Sequence, residues 1–494
     1  MKKYLLLLPI VLLTLAGCGN GEEKGSESST TPESSESASE STTESSESTS
    51  ESTSESQSES ESEKYDHYYD LEFESKVLNE KDATEKFKVN YSFGYLEEDL
   101  TTSGLTYKPQ LSLLSFASTV SQEKKELAQA FYTTLGFDNQ VYSPEYDTDW
   151  DKDTVLYSFA HKTIGEKDVI AVSVNGFEYK QAWASNFIWG KEGNAQGFES
   201  AATKLRTAFD TYFESYKDNS PMLWVTGYSR SAAICDIFLE NLLDEELLPE
   251  ENVNAYLFEA PGVMMEDNIH EHPAIRNVIN SGDLIVNALP TAFGFKRSGM
   301  DVDIYSTDAD KIVSDFYKEK LKLSPFTPKT DYKTEQELAD YLLNTILLKK
   351  VEINPEDENP LATHDASTRE NYVDNYEKEL AYAIGLFFSL KNETIDALKA
   401  KLEELGFGVI GLLQEDELYN TLKPILDEHE EVYDDEQLHS ACNRVAEFGR
   451  FQLSTIATFY MDEGAKNDII RLVEFHSPET VLPLLINYNA SLRG

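Results

Sequence analysis

Residues 224–235 read Trp-Val-Thr-Gly-Tyr-Ser-Arg-Ser-Ala-Ala-Ile-Cys, WVTGYSRSAAIC. The run MLWVT from Met222 is apolar throughout, as a strand buried on both faces would be. Gly227-Tyr228-Ser229-Arg230 follows, and an Ala-rich helical pattern, SAAICDIFLENLL, begins at once. A strand-to-helix elbow of this kind carries a serine hydroxyl to the carboxyl edge of a sheet, and the tight turn demands small neighbours. The bare pattern G-x-S-x-small is expected by chance on the order of a few tenths of a time in such a length. Its context therefore carries the reading. Ser231 stands where the fuller pattern has glycine. Ser229 is read as a nucleophile, with a simple helix N-cap serine as the alternative.

Outward from the elbow, strand and helix patterns alternate. VLYSFAHKTI and DVIAVSVNG precede it as β-branched runs, and GFESAATKLRTAFDTYFESY reads as a long amphipathic helix. VNAYLFEAP and AIRNVINSGD follow as further strands. Upstream, YKPQLSLLSFAS and KKELAQAFYTTLGF have helical spacing that stops at Gly136. Alternation of this kind predicts an α/β core with a parallel sheet covered on both faces. From about 333 to 474 nearly every segment is helical in pattern, so a mainly helical insertion or cap is expected over about 300–470.

A serine hydroxyl needs a base, the base an orienting acid, and the oxyanion a pair of donors. Asp283, in the loop after AIRNVIN, suits the acid, against a plain turn aspartate beside Gly282. Among the histidines after Asp283, His429 and His439 lie in charged helical stretches and are read as solvated. His364 (PLATHDAS) and His476 (EFHSPETV) each precede a helix start, where a loop could aim the ring.

These segments resemble the class 3 lipase family, especially its secreted bacterial branch, over roughly 107–299 and a short C-terminal piece. VIAVSVNGFEYKQAWASNF resembles the family's strand, oxyanion loop and W-x-S-N, here Trp183 to Asn186. GNAQGFESAATKL resembles the next helix, VTGYSRSAAICDIFLENL the elbow, AYLFEAPG the following strand, and VINSGDLIVNALP the acid segment. Asn175-Gly176-Phe177 replaces a more usual R-G-T-like loop, and Tyr228 and Ser231 depart within the elbow. The resemblance implies an α/β-hydrolase-like, mostly parallel sheet. It also implies a closing histidine near the C-terminus, which selects His476 over His364 as base. The expected chemistry is ester hydrolysis by Ser229, His476 and Asp283, with the oxyanion held by backbone N–H groups of Arg230 and of Gly176 or Phe177. No cofactor is expected, and the substrate would be a small-molecule or lipid ester.

The N-terminus reads as an export leader. Lys2 and Lys3 precede an apolar run, Leu5 to Ala16, too short to span a membrane, and LAGC looks like a bacterial lipobox with Cys18 as the lipidated residue. Residues 1–18 are thus expected to be a lipoprotein signal peptide with its lipobox, cleaved before Cys18. Residues 19–64, nearly all Ser, Glu and Thr, are a disordered tether, and 65–494 the folded body. The expected place is the outer face of a bacterial membrane, held by the lipid.

Setting aside the thirteen Glu and two Lys of the tether and the two leader lysines leaves 38 basic and 77 acidic residues, a net charge of −39. That excess argues against nucleic acid and against electrostatic adhesion to anionic lipid; it selects no oligomeric state. Cys235 and Cys442 are the only cysteines after Cys18, so no disulfide framework is expected, and Cys235 reads as a small buried hydrophobe. DTDWDKDTVLYS, from Asp147, has Lys152 where a calcium loop needs glycine and Ser158 where it needs glutamate, and reads as a solvated loop. His270-Glu271-His272 could bind a metal but reads better as a polar loop, and no metal is expected.

Overall fold

Along Met222–Tyr228 the side chains split by alternation, as strand geometry requires. Met222, Trp224 and Tyr228 enter one apolar cluster, while Leu223 and Val225 enter another on the opposite face. The computed structural model describes residues 65–74, 88–148, 154–177, 180–283, 285–287, 293–317, 368–405, 411–412, 414, 416–447 and 475–493. Its strands are β1 (His67–Glu74), β2 (Lys88–Tyr95), β3 (Asp138–Tyr142), β4 (Tyr157–Ile164), β5 (Lys167–Val174), β6 (Met222–Tyr228), β7 (Val253–Phe258), β8 (Met264–Met265), β9 (Ile275–Ile279), β10 (Phe295–Lys296) and β11 (Met300–Asp303).

Among the described residues the main sheet has the order β11-β9-β7-β6-β5-β4-β3. Strands β5, β6, β7, β9 and β11 run parallel, and β4 and β3 add an antiparallel edge. The β4–β5 hairpin turns at Gly165, whose φ is +62°. Helices α1 (Pro109–Ser121) and α2 (Lys125–Thr134) cover one face, and α3 (Gln196–Phe213) and α4 (Arg230–Asp244) the other. A hydroxyl network joins α1 to the sheet beneath it. Ser118 Oγ meets Ser173 Oγ at 2.7 Å, and Thr226 Oγ1 donates to Ser173 Oγ at 2.8 Å.

The parallel core matches the expectation from sequence, with additions. β1 and β2 form a separate antiparallel pair whose Leu71, Val89 and Phe93 join the α1 side of the core. β11 and α5 (Ala309–Phe316) also belong to the core, where Ile304, Ala309 and Val313 pack with the last helix, α9 (Pro478–Ser491). The described residues 300–317 thus lie with the sheet, although they fall inside the range of about 300–470 expected for the helical insertion.

Described helices in that region are α6 (Lys378–Ser389), α7 (Asn392–Leu405) and α8 (Glu417–Glu428), with a further helix over 435–447. A short α-helical turn, Arg369–Tyr372, and a π-helical turn, Val373–Glu377, lead into α6 and dock on the core. Tyr372 stacks on Trp189 with ring centroids 4.1 Å apart, and Glu377 Oε2 accepts from the Trp189 and Gly190 amides. The Arg369 guanidinium donates to the Trp189, Gly190 and Gly193 carbonyls. No described helix is long and apolar enough to cross a membrane.

Candidate active site

Ser229 sits at the N-cap of α4, where β6 ends, with φ +57° and ψ −126°. A non-glycine residue there is strained, and strain of this sort persists only where its surroundings over-determine it. The Ser229 amide donates to the Phe258 carbonyl of β7 at 2.8 Å, which holds the turn to the sheet. Ser231 supplies a second brace: its hydroxyl donates to the Tyr228 carbonyl and accepts from the Tyr228 amide, both at 2.8 Å. The missing glycine of the pattern is thus a serine that closes the elbow with its own side chain. Gly227 is required by crowding, since a Cβ there would lie 2.8 Å from the Ala232 nitrogen.

His476 precedes α9 and faces the elbow. Its Nε2 is 2.7 Å from Ser229 Oγ, and its Nδ1 is 2.5 Å from Asp283 Oδ2. Asp283 is wholly buried in the loop after β9. Its Oδ1 accepts from the Ile285 amide at 2.8 Å, leaving Oδ2 turned to the imidazole. The Tyr228 hydroxyl donates to the His476 carbonyl at 2.7 Å, so the elbow also fixes the backbone of the histidine. These three side chains, 193 and 247 positions apart in sequence from His476, form one hydrogen-bonded line.

Glu259 lies against this line and was invisible as a site residue in the sequence. It is fully buried just after β7, with φ +52°, and its carboxyl oxygens accept from the Asn280 amide at 3.0 and 3.1 Å. Glu259, Asp283 and His476 each present a ligand-type atom within 4.8 Å of the others. Burial, then the Asp283 charge, push the Glu259 carboxyl well above the usual carboxylate range, and a hydrogen bond to Asp283 adds to the shift. The available signal was a lone acid in a largely apolar stretch, AYLFEAPGV.

Gly176, at the end of the β5 loop, abuts the elbow so closely that a Cβ would lie 1.9 Å from the Tyr228 carbonyl oxygen. The Phe177 amide donates to Asn175 Oδ1 at 2.7 Å, and its ring lies 5.0 Å from that of Tyr228. Of the two expected loop donors, Phe177 therefore has its N–H engaged within the loop, whereas Gly176 lies against the turn. The Arg230 amide opens α4, while its guanidinium donates to Asn186 Oδ1 at 2.5 Å and lies over the Phe198 ring. His364 and Cys18 lie outside the described residues, as do most of DTDWDKD and the whole tether. His439 is half-exposed and pairs with Asp416.

A mostly parallel sheet with a strained serine at the turn from strand to helix is an α/β-hydrolase-like arrangement. Solved structures similar to this chain include three fungal enzymes. A fungal lipase studied as an inhibitor complex is 17% identical, aligned over 43% of this chain and 83% of its own, at a TM-score of 0.30. Rhizomucor miehei triacylglyceride lipase has the same identity and coverage at 0.29. A lipase from Rhizopus microsporus var. chinensis is 13% identical over 40% of this chain and 75% of its own, at 0.30. No protein-family model and no curated protein matches the sequence.

Proposed function

We propose that the protein is a serine hydrolase of carboxylic esters, lipase- or esterase-like, displayed on a membrane surface through lipid on Cys18. The observation that carries the reading is the Ser229–His476–Asp283 line mounted on a positive-φ elbow. Ser229 Oγ attacks the ester carbonyl carbon as His476 Nε2 takes its proton. Asp283 holds the imidazole tautomer and stabilises the imidazolium. The oxyanion is held by the Arg230 and Gly176 amides. Collapse of the tetrahedral species breaks the ester C–O bond, and His476 returns the proton to the leaving alcohol. Water, deprotonated by His476, then hydrolyses the acyl-serine and releases the acid.

The α6 helix supports a roof over the acyl side of this site. Phe388 stacks on Trp183 with centroids 5.5 Å apart, and the 180–187 segment joins the elbow through Asn186 and Arg230. The acidic body and the Ser/Glu tether would hold it away from an anionic surface, within reach of ester substrates beyond it.

The test is turnover of p-nitrophenyl esters of several chain lengths, with fluorophosphonate labelling and peptide mapping. Serine-dependent turnover and an adduct on Ser229, both lost in Ser229→Ala, are expected. Absence of both would leave a binding protein on a hydrolase scaffold and end the enzymatic reading. For the anchor, Cys18→Ala should release the protein from membranes into the medium.

A further inference from the structure

At the other end of α4, about ten residues and so roughly 15 Å along the helix from the elbow, lies a second group of titratable side chains. Glu240 and Asp244 are one turn apart on α4 and share a face. His270 and His272 come from the connection between the turn Glu266–Asn268 and β9. Each of the four offers one ligand atom, and those atoms all lie within 4.8 Å of one another.

The contacts are uneven in an informative way. Glu240 is 1% exposed, and its Oε1 is satisfied by the His270 amide at 2.8 Å and faces His270 Nδ1 at 2.7 Å. Its Oε2 is buried with no hydrogen-bond partner, and so is His272 Nε2. These two atoms face each other at 3.8 Å, too far for a hydrogen bond. A buried carboxylate oxygen left unpaired is costly and rare. Two donors bound to one zinc at about 2.0–2.2 Å in tetrahedral geometry stand roughly 3.3–3.6 Å apart, which is close to what the orphan pair shows. Asp244 Oδ1 lies 3.1 Å from His270 Nδ1 on the open side. Glu250 Oε2 stands 3.8 Å from His272 Nδ1, the ring nitrogen opposite the orphan, which is beyond hydrogen-bond reach but on the side from which a carboxylate orients a metal-bound imidazole once it closes. Asn194, Asn241 and Asp267 border an open cleft beside the group, which gives an ion a path in.

We propose that Glu240, Asp244, His270 and His272 bind a divalent transition metal of the zinc class, fastening the 266–272 connection to α4. Two imidazoles with two carboxylates suit zinc; calcium would take six to eight oxygens. Four protein ligands make the site structural, and it stands apart from Ser229 and independent of the proposed hydrolysis. Binding to the folded state alone stabilises that state by mass action.

The test uses the tag-free full chain, stripped with chelator, then titrated calorimetrically with ZnCl2 and separately with CaCl2. One zinc per chain is expected, with a higher Tm on addition, at least tenfold weaker binding in His272→Ala and Glu240→Gln, and unchanged stoichiometry in His476→Ala. Zinc-edge X-ray absorption of the wild type provides a readout that needs no variant, and imidazole scattering in the first shell is expected. The proposal fails if zinc does not bind stoichiometrically, if binding survives His270→Ala/His272→Ala, if it is lost only in His476→Ala, or if the shell contains no imidazole.

Discussion

The Glu259 carboxyl packs against Asp283, and two buried carboxylates at that range cannot both ionise without large cost. Burial, and then the neighbouring Asp283, favour the protonated form of Glu259. Glu259→Gln preserves a donor towards Asp283 and an acceptor for the Asn280 amide, so kcat/KM for a p-nitrophenyl ester should stay within a few fold. Glu259→Ala removes both and opens a void, and kcat should fall at least tenfold while KM changes little. Ser231 gives a second residue-level prediction. Ser231→Ala leaves the Tyr228 amide and carbonyl without their side-chain partner, so urea unfolding should show a loss of about 1–3 kcal/mol. Neither role could be read from residue type. Glu259 owes its chemistry to burial beside Asp283, and Ser231 to the position of a backbone amide three residues earlier.

Among the elements, the β5 loop and the β6–α4 elbow touch at Gly176. Gly176→Ala would place a methyl on the Tyr228 carbonyl, so the loop must retreat and carry its amide away from the proposed oxyanion position. The kcat should fall on the order of 10²–10³-fold, with fluorophosphonate labelling slowed in parallel. The helical pattern before Gly136 and the strands VLYSFAHKTI, DVIAVSVNG and MLWVT were legible because their apolar spacing is local. β1, β2 and β11 were not. Their patterns are mixed, and each is stabilised by packing supplied elsewhere in the chain. The α9 helix is set by tertiary burial. Leu482, Leu484 and Leu485 are wholly enclosed, so Leu485→Ala should cost about 2–5 kcal/mol in chemical denaturation and loosen the loop that presents His476.

For the whole molecule, buried acids set the pH response. Burial raises the Asp236 carboxyl from 3.8 to about 7, against hydrogen bonds from the Ser298 amide and hydroxyl. Between those values the folded state binds more protons than the unfolded chain. This contribution is therefore complete below about pH 4 and lost as pH rises towards 7. Asp236→Asn should flatten that part of the Tm–pH curve, and Glu259 works in the same direction. Reductant should leave Tm unchanged, because Cys235 and Cys442 are both free and buried. By itself the sequence determined the parallel core, the elbow at Ser229 and the acid-rich surface, since these follow from local apolar period, turn chemistry and charge count. Only the tertiary structure decided that His476 meets Ser229 and Asp283, that Glu259 lies beneath them, and that Glu240 faces His272. Those pairs are separated by tens to hundreds of residues, and their distances are fixed by how the sheet and its helices pack, which no local pattern encodes.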